Sequence, residues 1–295
     1  MDVKYKIKGH ETFNIREGWL NKGIVAVKEN PRVFYQYSGA DALGVGTNMA
    51  KSIRYWLRAS GLTVTKKDGD YLTPFGELIY NNDCYMEDIF TLWILHCNIA
   101  ANKELATSWY LFFNTGTLKE FKKESLRSEM ERLLLEYTGK AELPKRSVYD
   151  DCNAILKMYV MTESENGDPE DKKKSPFEEL GLLKPEGKVF KKTQPRLRNL
   201  SSYVFWYLLN EMFKEYGQVS VQSILEGDNS PGRILNLGRI GINHFLDILE
   251  EEDAVIVNRT AGLDMVYTKK AIDSLEILER YFASGGKNGK TDYNR

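Results

Sequence analysis

Apolar residues recur at helical spacing along much of this chain, most clearly over residues 45–59. Steps of three or four residues put most of them on one face, which predicts a helix packed against a core. That stripe consists of Val45, Met49, Ile53, Trp56 and Leu57. A shorter stripe predicts a helix over residues 16–29, and the Asn-Pro dipeptide at 30–31 ends it.

A hairpin pattern follows the 45–59 helix. The segment LTVTKKDGDYLT predicts two short strands around the turn dipeptide Asp68-Gly69. Thr73 and Pro74 then predict a new helix, because threonine caps helix N-termini and proline suits the first helical position. With a brief helix at ADAL, the order is helix, short helix, helix, hairpin, helix. This order is typical of a winged helix-turn-helix, which we expect over residues 12–82 in an N-terminal domain at 1–82.

The segments that follow have helical patterns throughout, and we expect a helical middle region of the chain at residues 83–161. Residues 162–175, TESENGDPEDKKKS, contain no apolar residue and predict a linker or flexible loop. Ser175 and Pro176, followed by Glu178, match a capping box and predict the start of another helix.

The C-terminal part repeats the helix-helix-hairpin order. Helices are expected at 201–216, near 219–226 and near 239–251, followed by a hairpin in AVIVNRTAGLDMVYT. We therefore expect a second winged-helix-like unit at 176–284 and a disordered tail at 285–295. The predicted fold class is mainly α, and no short sequence repeat is evident.

Composition excludes several classes of protein. Lys and Arg total 41 against 42 Asp and Glu, so the net charge of -1 excludes a uniformly basic coat but not a local basic patch. The three cysteines are widely spaced and predict neither a zinc site nor a disulfide framework. His96-Cys97 lies in an apolar run and is expected to be buried. Neither a signal peptide nor a membrane span is evident, and a cytoplasmic location is expected.

The strongest candidate chemistry is a basic face on the 45–59 helix and its hairpin. On a helical wheel Thr47, Lys51, Arg54 and Arg58 oppose the apolar stripe, flanked by Asn48 and Tyr55. Lys66 and Lys67 fall at the hairpin tip. No acidic residue occurs between Asp41 and Asp68, so these cations could neutralise DNA phosphates. Most contacts would be to phosphate, whereas Asn48 and Arg54 are candidates for reading base edges. A solvated helix face is the alternative.

A second basic stretch spans residues 188–198. Its candidate DNA contacts are Lys191, Lys192, Arg196 and Arg198. A solvated loop is an equally open interpretation. The helix at 239–251 has an acidic C-terminal half that phosphate would repel, so the unit containing it is interpreted as a scaffold or partner surface.

The segment GHETFNIREGWLNKG, residues 9–23, resembles an active site because it combines histidine, glutamate and arginine. No nucleophile or metal set accompanies them, so an enzyme is the less favoured interpretation. We instead expect a structural motif of His10, Glu11, Arg16 and Trp19. In it, Thr12 caps the first helix if that helix begins at Phe13, Arg16 pairs with Glu11 or a nearby carboxylate, and His10 is a hydrogen-bonding anchor. The expectation is no catalytic residue, no metal and no cofactor.

Three segments of the chain together resemble a known family: GHETFNIREGWLNKG, LGVGTNMAKSIRYWLRASGL and SPFEELGLL. They are similar to a bacterial family called domain of unknown function 4007, from His10 to about Lys270. The matched motif positions are His10, Glu11, Arg16, Trp19, Lys22, Gly44, Gly46, Asn48, Met49, Arg54, Tyr55 and Trp56. The resemblance assigns none of them a catalytic role.

Members of that family are found near PAPS-reductase-like proteins of DNA sulfur modification and phage defence. The resemblance therefore implies a role on DNA in such a system. Together with the basic face of the first winged helix, it predicts a non-catalytic, DNA-binding component of a phosphorothioation-type modification or anti-phage system, with duplex DNA as partner. The alternative is a protein adaptor for a PAPS-reductase-like partner that does not itself bind DNA.

Overall fold

The computed structural model describes residues 3–35, 39–160, 174–260 and 263–286. Tertiary contacts divide the chain into two compact units, Met1–Thr193 and Gln194–Arg295. Within the described residues the chain is mainly α-helical, and its strands form three small antiparallel sheets. The predicted mainly α fold class is therefore confirmed.

The first half of unit 1 consists of helices and a two-stranded hairpin. Its elements are α1 (Trp19–Glu29), a 3₁₀ turn (Val33–Tyr35), α2 (Ala40–Leu43), α3 (Thr47–Ala59), β1 (Thr63–Lys66), β2 (Gly69–Leu72) and α4 (Pro74–Asn82). α1 and α3 cross closely at Gly23, where a Cβ atom would lie 2.6 Å from Leu57 Cδ1. As predicted, Thr73 caps α4 by accepting from the Gly76 N–H, and Pro74 occupies the first turn.

The second half of unit 1 is also helical and ends in a hairpin. Its elements are α5 (Ile89–Ala101), α6 (Thr107–Tyr110), a π-helical turn (Leu111–Thr115), β3 (Glu120–Phe121), α7 (Lys123–Thr138), α8 (Lys145–Tyr159), a 3₁₀ turn (Pro176–Leu180), β4 (Leu183–Glu186) and β5 (Val189–Lys192). α5 is buried on nearly all sides, including His96 and Cys97 as predicted. His96 Nδ1 lies 2.8 Å from the Tyr159 hydroxyl, which explains a histidine in this apolar helix.

Unit 2 follows the predicted element order. Its elements are a 3₁₀ turn (Leu197–Asn199), α9 (Ser202–Tyr216), β6 (Gln218–Ser220), α10 (Val221–Glu226), α11 (Pro231–Ile234), α12 (Arg239–Glu251), β7 (Val255–Thr260), β8 (Leu263–Thr268) and α13 (Ser274–Ala283). The helices expected at 201–216, 219–226 and 239–251 and the hairpin after them are confirmed. The strand β6, which the sequence interpretation did not include, joins the hairpin as a third strand.

The second half of unit 1 and unit 2 have the same topology. In each, a helix leads to a short strand, further helices and a hairpin, and the short strand pairs with the second hairpin strand. The sheet orders are accordingly β3-β5-β4 and β6-β8-β7. The first half of unit 1 follows the same plan with a single backbone contact in place of the short strand: the Asp70 N–H donates to the Pro31 carbonyl at 2.8 Å. We call these the first (19–72), second (89–192) and third (202–268) modules.

The hairpins of the first two modules also share their register. Thr63 pairs with Leu72 and Leu183 pairs with Lys192, so adding 120 to each residue number of the first hairpin gives the second. Each hairpin is followed by a threonine whose hydroxyl donates, at 2.6 Å in both cases, to the carbonyl of a glycine that precedes the hairpin. These pairs are Thr73 with Gly61 and Thr193 with Gly181. The repeat that is not evident in the sequence is therefore present in the backbone.

The predicted start of the first helix is wrong. Thr12 does not cap a helix at Phe13, because α1 begins at Trp19 after Gly18. The Phe13 carbonyl instead accepts from Trp56 Nε1 at 3.0 Å. This tertiary hydrogen bond holds the preceding segment against α3 rather than in a helix.

The expectation that residues 83–161 are helical throughout is also wrong near residue 120. Glu120 and Phe121 form β3 and pair with Lys191 and Phe190 of β5. The Phe121 and Phe190 rings stack with centroids 6.1 Å apart, so cross-strand packing favours a strand here. The basic stretch that begins at residue 188 accordingly starts as a hairpin strand and not as a solvated loop.

The boundary between the compact units falls later than the start of the expected C-terminal domain. Residues 176–193 lie in unit 1, because β5 pairs with β3 as well as with β4. Most of the expected linker, residues 162–173, and the expected tail from residue 287 lie outside the described residues.

Candidate nucleic-acid interface

The face of α3 that points away from the core begins with exposed polar residues. Thr47, Asn48 and Lys51 are exposed, whereas Ile53, Trp56 and other residues of the opposite face are buried. The helix begins after Gly46, whose extended backbone provides no side-chain cap. The first turn of α3 therefore presents its polar side chains directly to solvent.

Arg54, a predicted contact to base edges, forms a bidentate pair within the protein. Its Nε donates to Asp70 Oδ2 at 2.7 Å, and its Nη2 donates to Asp70 Oδ1 at 3.3 Å. The Asp70 side chain is 1% exposed and also accepts from the Thr65 hydroxyl. This bidentate pair occupies the Nε–Nη2 edge of the guanidinium, and it ties α3 to the hairpin.

Tyr55 does not belong to the interface. It is buried, and its hydroxyl donates to the Leu105 carbonyl at 2.7 Å. Burial, with a smaller contribution from the charge of Asp151, raises the pKa of Tyr55 well above its usual value. The helical wheel placed Tyr55 at the flank of the exposed face, but the second half of unit 1 covers that flank.

The hairpin tip presents two exposed cations, Lys66 and Lys67. Lys66 Nζ lies 4.9 Å from the centroid of the Tyr71 ring, and the Tyr71 hydroxyl donates to Asp68 at 2.8 Å. Among the described residues, no acidic side chain forms an ion pair with Lys66, Lys67, Lys51 or Arg58. The α3 face and the tip, whose turn also contains the Asp68 carboxylate, therefore carry cations without ion-pair partners.

Two of the four expected contacts of the second basic stretch, Lys191 and Lys192, are engaged within the protein. Lys191 Nζ lies 2.6 Å from Glu120 Oε1, and this hydrogen bond is the main cause of the raised pKa of Lys191. Lys192 Nζ donates to the Phe112 carbonyl and lies 4.2 Å from the Phe112 ring centroid. Arg196 and Arg198 are exposed but lie in unit 2.

In the third module, charged residues of α12 form ion pairs with charged residues of the β7–β8 hairpin. Arg259 on β7 lies 2.5 Å from Asp247 and 3.7 Å from Glu250 of α12, and Arg239 lies 2.9 Å from Asp264 of β8. α12 occupies the position that α3 has in the first module, yet its charged side chains pair with those of its own hairpin. This contrast distinguishes α12 from α3, where Lys51 and Arg58 form no ion pair with a described acidic side chain.

The N-terminal motif forms a buried polar cluster. His10 is fully buried, and its Nε2 lies 2.9 Å from Asp151 Oδ1 on α8. Asp151 also accepts from the Lys8 backbone N–H at 2.8 Å and from the Ser108 hydroxyl. The His10 ring stacks on Trp56 of α3, with centroids 5.8 Å apart. The cluster therefore joins the N-terminal segment to helices of both halves of unit 1, and His10 is a hydrogen-bonding anchor as expected.

Among the described residues, Arg16 pairs neither with Glu11 nor with another carboxylate, so the expected ion pair does not form. The Arg16 guanidinium lies over the rings of Phe13 and Trp19, 5.6 and 5.3 Å from their centroids. Glu11 has a backbone φ of 59°, an unusual conformation for a residue with a side chain. The motif thus owes its shape to a strained turn and cation–π contacts rather than to an ion pair.

Sequence reasoning missed the partners that fix these side chains. Asp151, Ser108 and Asp70 were not singled out, because each pairs with a residue distant in sequence and lies within an otherwise ordinary helix or strand. Asp70 had one available signal: it is a carboxylate next to the hairpin glycine and close to a run of cations.

Two general findings apply to the described residues. No group of three or more His, Cys, Asp or Glu side chains is placed to hold a metal ion. None of the described helices has the length and apolar character needed to cross a bilayer.

Two solved structures have a fold similar to that of this chain. The magnesium ion-bound SspB crystal structure has a TM-score of 0.85 at 23% identity, covering 100% of this chain and 92% of that chain. A second SspB crystal structure gives 0.84 at 23% identity, with 99% and 92% coverage. A search of curated proteins finds no match to the sequence. The sequence profile of a family described as "Protein of unknown function (DUF4007)" matches residues 7–282, as the motif resemblance implied, and the chain therefore belongs to this family.

Proposed function

We propose that this protein binds duplex DNA through its first module, as a non-catalytic component of a DNA-modification or anti-phage system. The observation that carries the proposal is the set of cations without acidic partners on α3 and the hairpin tip: Lys51, Arg58, Lys66 and Lys67. In the third module the corresponding surface is neutralised by ion pairs.

The order of elements supports interpreting the first module as a winged helix. α3 is then the recognition helix that enters the major groove, and the β1–β2 hairpin is the wing that lies along the backbone. The Arg54–Asp70 pair fixes the wing against the recognition helix, so both can contact one duplex without reordering. The second and third modules share this plan and are interpreted as winged-helix-like units adapted to other contacts.

The second module shows one such adaptation. α8 is its counterpart of α3, but the N-terminal segment engages it: Lys8 pairs with Asp150 at 2.9 Å, and His10 pairs with Asp151. A helix engaged in this way cannot also enter a groove. This difference supports the choice of the first module over the second for DNA contact.

The contacts of the proposed interface are electrostatic. Each lysine or arginine that neutralises a phosphate releases condensed counterions, which contributes about -0.9 to the slope of log K against log salt concentration. Asn48 and Arg54 were the two predicted contacts to base edges. Arg54 pairs with Asp70, so exposed Asn48 in the first turn of α3 is the better candidate.

The role in a modification or defence system rests on the family membership and the gene setting that accompanies it. One similar solved structure holds a magnesium ion, but at 23% identity that likeness concerns the fold.

The decisive experiment reverses charge without disturbing the fold. Lys51→Glu with Arg58→Glu leaves the Arg54–Asp70 pair intact, and we expect it to abolish duplex binding in a mobility-shift titration at moderate salt. Lys122→Glu with Lys123→Glu is the matched control, because both lysines are exposed, lie outside the first module and change the net charge equally. Unchanged binding by the first double variant, or equal loss in both, contradicts the assignment of α3.

A protein adaptor is the second candidate, and one observation in unit 2 favours it. Ile240, in the first turn of α12, is 84% exposed, so a partner that covered it would bury an apolar side chain. Co-purification with a PAPS-reductase-like protein, together with no measurable affinity for DNA in the wild type, would favour the adaptor.

A further inference from the structure

Tyr35 presents an aromatic ring beside the proposed DNA-binding face. It is 46% exposed, although most aromatic side chains in this module are buried. Arg54 Cζ lies 4.7 Å from the centroid of the Tyr35 ring. The ring is therefore supported on one side by a cation and open to solvent over nearly half of its surface.

The support beneath Tyr35 is rigid. The bidentate contact with buried Asp70 holds the Arg54 guanidinium in place. The two residues before Tyr35 in its 3₁₀ turn, Val33 and Phe34, are buried. The contact between the Pro31 carbonyl and the Asp70 N–H ties the start of this segment to the hairpin. A stacking partner would thus meet an ordered surface and lose little affinity to ordering it.

Tyr35 also borders the row of cations. Arg54 follows Lys51 by three positions and precedes Arg58 by four, so the three lie on one face of α3. A nucleic acid held by Lys51 and Arg58 therefore passes the site where Arg54 supports the tyrosine ring.

In an intact duplex the faces of the bases are covered by their neighbours in the stack, and a protein reaches only their edges. An exposed ring beside the duplex finds a base face only where a base is unpaired, bulged or at an end. A cation beneath the ring adds to such stacking, and the stacking is tolerant of sequence because every base has a π-face.

We propose that Tyr35, supported by Arg54, is a stacking platform for an unpaired base, so that the first module prefers DNA with a base outside the stack over a fully paired duplex. The inference rests on the proposed function and specifies the DNA structure that the same face recognises. Tyr35 is a positioning residue for the base, and the cations of α3 supply most of the affinity.

The test compares two probes by fluorescence anisotropy: a blunt duplex and the same duplex with one bulged 2-aminopurine. We expect the wild type to bind the bulged duplex about tenfold more tightly, as one base–aromatic stack provides. Stacking should also quench the 2-aminopurine fluorescence. Tyr35→Phe keeps the ring and should retain both effects, whereas Tyr35→Ala should bind the two probes equally and leave the fluorescence unquenched.

The outcomes separate this inference from the proposed function. If the wild type binds both probes equally, or Tyr35→Ala keeps the preference and the quenching, the platform is wrong. The effect of Lys51→Glu with Arg58→Glu then still decides whether the module binds DNA. If the wild type binds neither probe, both proposals fail, and a circular dichroism spectrum of Tyr35→Ala that matches the wild type excludes misfolding as the cause of its loss.

Discussion

His10 and Asp151 are 141 positions apart in sequence, yet His10 Nε2 lies 2.9 Å from Asp151 Oδ1 in the interior of unit 1. The carboxylate also accepts from the Lys8 N–H and the Ser108 hydroxyl, so one buried acid satisfies three donors from two distant segments. A buried charge is tolerated only when it is paired and hydrogen-bonded in this way.

Removing the acid should therefore be costly. Asp151→Ala leaves three buried polar groups without their acceptor, and we expect a loss of about 3 kcal/mol in the free energy of unfolding. Urea denaturation followed by tryptophan fluorescence measures this change. Asp150→Ala is the matched control: Asp150 pairs with the partly exposed Lys8 Nζ, and its loss should cost about 1 kcal/mol or less. Equal losses in the two variants would show that the cluster contributes little.

The glycine before His10 should not tolerate a side chain. A Cβ atom at Gly9 would lie 2.3 Å from a ring carbon of Tyr55, which is buried and hydrogen-bonded. We expect Gly9→Ala to destabilise the protein by about 1–3 kcal/mol. Gly46→Ala serves as the control because nothing lies within 4 Å of its added Cβ atom, so its melting temperature should stay close to that of the wild type.

The Arg54–Asp70 pair should behave as a structural link that only arginine can make. Arg54→Lys keeps the charge but cannot form the bidentate contact, so we expect both thermal stability and DNA affinity to fall. The control is Lys28→Ala, which removes an exposed pair with Glu77 and should have little effect on either measurement. Wild-type stability in Arg54→Lys would mean that the link to Asp70 does not hold the hairpin in place.

The hairpin tip should be visible in the salt dependence of DNA binding. Lys66→Ala with Lys67→Ala removes two potential phosphate contacts, so the slope of log K against log salt concentration should become shallower by about 2. Lys122→Ala with Lys123→Ala should leave the slope unchanged. A slope unaffected by the tip variants would place the hairpin away from the backbone.

Thiol chemistry provides a pH-dependent test of burial. Burial is the main cause that raises the pKa of Cys152 from 9.0 to about 12, and it also raises the pKa of Cys97. Both thiols therefore stay protonated and unreactive in the folded protein, and alkylation at pH 8 should label Cys84 first. Because the unfolded thiols ionise near pH 9, their contribution to stability is complete below that pH and is lost as pH rises towards 12. Labelling of Cys152 at the rate of Cys84 in the native protein would contradict this burial.

The sequence predicted the helices and hairpins well because their signals are local. The stripe from Val45 to Leu57, the Asp68-Gly69 turn and the Thr73-Pro74 start each act within a few residues. β3 was missed because a two-residue strand has no periodicity of its own and depends on Phe190, about seventy positions later.

The candidate site was predictable in outline but not in its pairings. The helical wheel correctly placed Thr47, Asn48 and Lys51 on the surface. It could not show that Arg54 pairs with Asp70, or that Tyr55 is buried with its hydroxyl bonded to the Leu105 carbonyl. Such contacts depend on the tertiary arrangement.

The distance along the chain between His10 and its partner has a consequence for how the protein is made. The ribosome produces the N-terminal segment first, but Asp151 follows only after a further 141 residues, on the order of ten seconds of synthesis. During that interval the first module can close its own hairpin, whereas the segment around His10 has no α8 to dock on. The segment around His10 therefore stays undocked on the nascent chain until α8 has been translated, and its docking can precede the synthesis of β4 and β5.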